Sequence, residues 1–132
     1  MLFRSWSEAV SAGERPYLAM DGRSVFKWAS GFITEATKNV LDAGGLAPED
    51  LDVFIPHQAN NRITDAMLRH LKLPEHVVVA RTIKQFGNNS AASVPMAMDA
   101  LLTSGEAKPG QTALLIGFGA GLVYAGQVVT LP

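Results

Sequence analysis

No cysteine occurs among the 132 residues. That excludes disulfides, thiolate metal sites and a thiol nucleophile supplied by this chain. An excess of charge is also lacking: eleven Lys and Arg face twelve Asp and Glu, a net charge of −1. The basic footprint that nucleic acid or an anionic membrane surface demands is therefore absent. No apolar run approaches the roughly 18 residues of a membrane span, and the first residues lack a secretory signal pattern, so a soluble cytoplasmic protein is expected. Charged residues make up 17% and apolar residues 48%, a globular balance. The length fits one domain with a real core.

With three histidines in the chain, each position carries weight. His70 and His76 fall near a helix end and a strand start and read as surface residues without partners. His57 lies in "VFIPHQANNRI", residues 53 to 63, where an apolar run stops at a proline and hydrogen-bonding side chains follow at once.

Residues 1 to 23 carry turn signals and one short strand candidate at Tyr17 to Met20. Ser24 can cap a helix in which Val25, Phe26, Trp28, Ala29, Phe32, Ile33, Ala36, Val40 and Leu41 follow at helical spacing, ended by Gly44-Gly45. "LDVFI" and "HVVVA" read as short buried strands on either side of a helix over about 58 to 71, with Ile63, Ala66, Met67 and Leu71 on one face. "RTIKQFGNNS" reads as a loop. Residues 90 to 103 form a helix that is apolar nearly all round, hence buried, with Pro95 in its early turns. "TALLIGF" and "LVYAGQVVTL" form a terminal hairpin through "GAG". The alternation predicts an α/β fold: a mostly parallel sheet with helices on both faces and a terminal antiparallel hairpin.

In such a sheet, ligands sit beyond the carboxyl ends of the strands. His57 falls at that end of "DVFI", presented by Pro56. With a helix starting at Gln58, the positive helix end would keep its ring neutral, a hydrogen-bond donor. A polar cap satisfying backbone groups is the alternative. Asn88 follows Gly87 on the same edge and offers two uncharged donors; it equally suits an ordinary helix cap. Gly117, Gly119 and Gly121 alternate in "GFGAG", either as a positive-φ turn or as backbone approaching a ligand with Phe118 turned toward it. Two neutral donors aimed at one point suit a developing oxyanion such as a thioester enolate.

"PHQANNRI", "GNNSAASVPMAMDALL" and "IGFGAGLVYAGQVV" strongly resemble the C-terminal half of β-ketoacyl-acyl carrier protein synthase III, the priming condensing enzyme of fatty acid synthesis, in the thiolase-like superfamily. The resemblance runs from about Gly22 to Leu131, so residues 1–21 are a poorly matched leader and 22–132 the synthase III C-terminal domain. It implies an acyltransferase that performs a decarboxylative Claisen condensation of acyl-coenzyme A with malonyl-acyl carrier protein, in fatty acid or polyketide biosynthesis. His57 and Asn88 would be catalytic, partnered by a cysteine from an N-terminal half. Gly22, Phe26, Asn60, Phe118 and Gly119 would line the substrate and pantetheine path, with Phe26 and Phe118 as an apolar wall. Lys27, Arg62 and Arg69 would dock the acidic carrier protein; Arg62 and Arg69 are seven apart, on one helix face, which a solvated surface would also show. No metal and no cofactor beyond coenzyme A and phosphopantetheine thioesters is implied, and the complete enzyme would be a homodimer of five-layered subunits.

The nucleophile of that family has no counterpart here, and residues 1 to 16 match its opening strand poorly. A fragment, or one product of a split gene, is therefore expected. Asn89 also stands where the resemblance leads one to expect threonine or serine. Two other readings stay open: a non-catalytic carrier-binding or dimerisation module, and a cysteine-free malonyl-thioester decarboxylase.

Overall fold

The computed structural model describes residues 10–13 and 21–132; the strand expected at Tyr17 to Met20 and most of the expected leader lie outside them. The chain enters its first helix through Asp21, whose carboxylate accepts from the backbone N–H groups of Arg23 and Ser24 and from the Ser24 hydroxyl at 2.6 Å. Asp21, not Ser24, is the N-cap; Ser24 completes the cap from the first turn. Helix α1, Gly22–Trp28, passes through a π turn, Ala29–Ile33, into α2, Thr34–Ala43. The wide turn loosens the backbone ladder, and two buried threonines restore partners: Thr34 donates to the Ser30 carbonyl at 2.9 Å and Thr37 to that of Ile33 at 2.6 Å.

Strand β1, Val53–Pro56, is followed by α3, Asn61–Leu71, and β2, Val78–Val79. A short helix α4, Ile83–Phe86, then stands where the sequence reads as loop. Helix α5, Ser93–Ser104, precedes β3, Thr112–Gly119, and β4, Val123–Thr130. The strand order is β2-β1-β3-β4. β1 runs parallel to both neighbours, with Phe54 opposite Val79 and Leu114, and β4 returns antiparallel to β3. The expected architecture is thus present, with α4 and the π turn as additions.

Pleating sends successive β1 side chains to opposite faces. Phe54 joins Leu114 and Ile116 in a core roofed by Ile33, Leu41, Ile63 and Met67 from the π turn, α2 and α3. Val53 and Ile55 join Ala97 and Leu101 of α5 on the other side. Both faces are covered, which is why the strands read as continuous apolar runs. α5 departs from expectation: only Ser93, Ala97 and Leu101 are buried, while Met96, Met98, Ala100 and Leu102 stay half-exposed. Its apolar circumference exceeds what this chain covers.

Helix α2 packs so closely on the hairpin that Gly126 has no room for a side chain. An added Cβ would lie 2.7 Å from Val40 Cγ2 and 3.2 Å from the Leu115 carbonyl oxygen, and the latter is backbone that cannot rotate away. Gly126→Ala is expected to lower stability by about 1–3 kcal/mol, read as a shifted denaturant midpoint at unchanged slope.

Candidate active site

The parallel β1 and β3 end on one edge of the sheet, and β2 is parallel to β1. His57 continues β1 by one residue, its backbone N–H donating to the Ile116 carbonyl at 2.8 Å. The ring is half-buried between two neighbours. The ring packs against Phe118 in a T-shaped arrangement, ring centres 5.3 Å apart and planes at 77°. Nδ1 lies 2.5 Å from the Ser93 hydroxyl at the start of α5. Nε2 has no protein partner among the described residues.

Helix α3 begins at Asn61 rather than at Gln58, so the helix end lies further along the chain than the sequence reading placed it. What holds His57 neutral is burial, which pushes its pKa below the ordinary 6.5. The unfolded chain therefore takes up the proton first, and stability present above pH 6.5 is lost as pH falls toward the folded value. Melting points across pH 8 to 5 should fall less steeply in His57→Gln than in the parent.

Gln58 is the side chain the sequence hid. It is 2% exposed, yet both side-chain polar atoms and the backbone N–H are engaged. Nε2 donates to the carbonyls of Pro56 at 2.8 Å and Ala80 at 3.2 Å, Oε1 accepts from the Ile83 N–H at 3.2 Å, and the backbone N–H donates to Ser93 Oγ at 3.2 Å. One residue thus clamps the ends of β1 and β2 to the starts of α4 and α5. The loop after α4 then turns through Gly87, at φ 71° and ψ −165°, a conformation essentially restricted to glycine. Asn88 follows, exposed, its Oδ1 accepting from the Ser90 N–H at 2.9 Å. That bond fixes which way the carboxamide points and leaves the Nδ2 amino group as its free end.

The other expected positions divide. Gly22, Phe26 and Lys27 are exposed on α1. Phe118 is flanked by Trp28 as well as by His57, ring centres 6.3 Å apart, and Trp28 in turn stacks on Phe32 at 5.9 Å. Asn60 is committed as the N-cap of α3, its Oδ1 accepting from the Arg62 N–H at 2.8 Å. Gly119 ends β3 in an extended conformation, and of the three alternating glycines only Gly121 takes a positive φ. Arg62 and Arg69 are exposed on α3, while Asp65 between them pairs with Arg81 at 2.8 Å. His70 and His76, expected to lack partners, each reach a backbone carbonyl, of Ala66 at 2.7 Å and Leu51 at 3.1 Å.

Among the described residues no three metal-binding side chains gather, and no helix is long and apolar enough to cross a membrane. Concavities of about 400 Å³ against α2 and β4 and about 330 Å³ along α5 include neither His57 nor Asn88 nor Phe118. The candidate site is an open edge.

Residues 41–131 match the family model of the 3-oxoacyl-[acyl-carrier-protein (ACP)] synthase III C terminal. The chain belongs to this family. The synthase III chain of Streptomyces coelicolor, β-ketoacyl-[acyl-carrier-protein] synthase III 1, is 59% identical over 117 residues, 89% of this chain and 34% of the relative. That of Streptomyces glaucescens is 57% identical over 129 residues, 96% of this chain and 39% of the relative. Among solved structures, the priming β-ketosynthase of the R1128 polyketide pathway superposes with a TM-score of 0.90 at 48% identity, covering 98% of this chain and 39% of that one. The Thermus thermophilus synthase III superposes at 0.80 with 42% identity, covering 90% of this chain and 37% of that one. The fold is the C-terminal half of a thiolase-like synthase III, and the chain spans little more than a third of the relatives it matches.

Proposed function

We propose that this chain is the oxyanion-binding half of a priming condensing enzyme, its residues 22–132 forming the synthase III C-terminal domain. A cysteine from outside the chain would carry the acyl group taken from acyl-coenzyme A. Malonyl-carrier protein then loses carbon dioxide: the bond to the carboxylate carbon breaks, and its electron pair becomes the enolate. His57 Nε2 and Asn88 Nδ2 donate hydrogen bonds to the enolate oxygen. The enolate carbon attacks the acyl-cysteine carbonyl, and the thiolate leaves with the 3-oxoacyl chain on the carrier. Phe118, braced by Trp28, presents an apolar wall that disfavours the malonyl carboxylate relative to the uncharged carbon dioxide it releases. Gly22, Phe26, Asn60 and Gly119 line the pantetheine approach, and Lys27, Arg62 and Arg69 offer cations to an acidic carrier.

The observation that carries this reading is the pair of neutral donors. Burial keeps the His57 ring uncharged with Nε2 free, and the turn at Asn88 leaves its amino group free. Pre-aligned uncharged donors stabilise charge that appears only in the transition state. The half-covered α5 and the open site edge support a further layer supplied by the cysteine-bearing half. A soluble cytoplasmic homodimer follows as part of the same proposal.

The test is a fusion in which the part of the S. coelicolor relative that precedes the matched region is joined to this chain. Formation of 3-oxoacyl-carrier protein from acetyl-coenzyme A and malonyl-carrier protein is expected. A folded fusion that binds the carrier but forms no product, under conditions where the relative is active, would favour a non-catalytic carrier-binding module.

A further inference from the structure

The Ser93 side chain is 1% exposed, and its hydroxyl touches two groups. The Gln58 backbone N–H donates to Oγ at 3.2 Å, and His57 Nδ1 lies 2.5 Å away. A serine hydroxyl has one proton to give and two lone pairs to fill. The Gln58 N–H occupies one lone pair, and the question is what the His57 contact does. Were Nδ1 protonated, it would fill the second lone pair, and the Ser93 O–H would have to turn elsewhere. No other acceptor lies within bonding distance among the described residues, so a buried donor would be orphaned. Were Nδ1 bare, the hydroxyl proton would bridge to it and all three groups would be satisfied.

We infer that Ser93 is the positioning residue that sets the tautomer of His57, placing the imidazole proton on Nε2, the nitrogen left without a protein partner among the described residues. Gln58 completes the device. Its backbone N–H donates to Ser93 Oγ, which leaves the hydroxyl proton for Nδ1. Its locked carboxamide fixes the backbone that carries that N–H. An isolated imidazole is free to move its proton between nitrogens; a donor for an oxyanion needs it on one of them at all times. The inference deepens the reading above and rests on it for its functional meaning, though the tautomer itself is a property of the chain.

The experiment is a long-range ¹H–¹⁵N correlation on the chain labelled with ¹⁵N-histidine at neutral pH, with His57 assigned by its loss in His57→Gln. Nε2 is expected to carry the proton, with Nδ1 at the shift of a bare nitrogen that accepts a hydrogen bond. In Ser93→Ala, Nδ1 should move toward the shift of a nitrogen without a donor, and in Ser93→Thr, which keeps the hydroxyl, it should stay. A protonated Nδ1 in the parent, or a Nδ1 shift unmoved in Ser93→Ala, overturns the proposal. The parent spectrum alone reads where the proton sits, so the question survives if Ser93→Ala does not fold. In the fusion, Ser93→Ala should lower kcat roughly 10–100-fold, the loss seen when the partner of a metal-bound imidazole is removed, with KM little changed and Thr restoring most of it. The spectrum needs no substrate. A fusion without condensation therefore counts against the condensing-enzyme reading and leaves the tautomer result standing.

Discussion

His57→Ala in the fusion is expected to lose about 10²–10³ in the rate of condensation, the usual consequence of removing one oxyanion donor. The size follows from where the ring stands. On the proposed reading its Nε2 is a single uncharged donor on a partly desolvated edge, beside Phe118 at a ring-centre distance of 5.3 Å, and water entering the vacated space would be neither aligned nor pre-paid in reorganisation. The loss should fall on kcat and kcat/KM alike, because the bond exists only once the enolate forms. Folding should lose no more than about 1–3 kcal/mol, the cost of leaving the buried Ser93 hydroxyl without its acceptor. The bond that extends the sheet is made by the His57 backbone N–H, which alanine keeps, and the ring is only half-buried. A large fall in melting temperature, rather than in rate, would reassign His57 to the structural role of a cap.

Gln58→Leu is expected to do the opposite, lowering stability by about 3 kcal/mol or more. The leucine fills a similar volume but abandons two carbonyls, those of Pro56 and Ala80, and the Ile83 N–H. Each buried group left unpaired costs about 1–3 kcal/mol, and all three sit where β1, β2 and α4 converge. Denaturant unfolding measures the loss, and the variant should also lose His57's edge position before the global transition, as faster amide exchange from 57 to 60 and from 81 to 86. A Gln58→Glu variant offers two acceptors and no donor at neutral pH, so the Pro56 and Ala80 carbonyls would still be orphaned. Its loss should resemble that of leucine.

Comparison of the two residues shows what a sequence makes legible. β1 could be read because both its faces are buried, which turns "VFI" into an unbroken apolar run, and Pro56 marks where pairing stops. His57 was then placed by topology alone. Asn88 was legible as a polar residue after Gly87 at the end of a loop on the same sheet edge as His57; the unusual backbone conformation of Gly87 was not. Gln58 and Ser93 were hidden because all their partners but the Pro56 carbonyl are 22 to 36 positions distant; nothing local distinguishes a clamped glutamine from a solvated one. Helix α3 starts three residues later than expected because Asn60 caps it better than the preceding residues do. The π turn left no trace, since the apolar positions around Trp28 fit an α-helix equally well. For α5, the apolar circumference was read correctly, but periodicity reports which surface avoids water, not whether this chain supplies the cover.

The most direct test of the central claim exchanges Asn88 for aspartate in the fusion and follows carbon dioxide release from malonyl-carrier protein. Aspartate keeps the oxygen that accepts from the Ser90 N–H, so the turn is retained, while the free amino group becomes a second, negatively charged acceptor. If Asn88 donates to an enolate oxygen, release should fall at least as far as in Asn88→Ala, by about 10²–10³. Release at the parent rate from Asn88→Asp would mean that Asn88 only caps the turn, and that the oxyanion is held elsewhere.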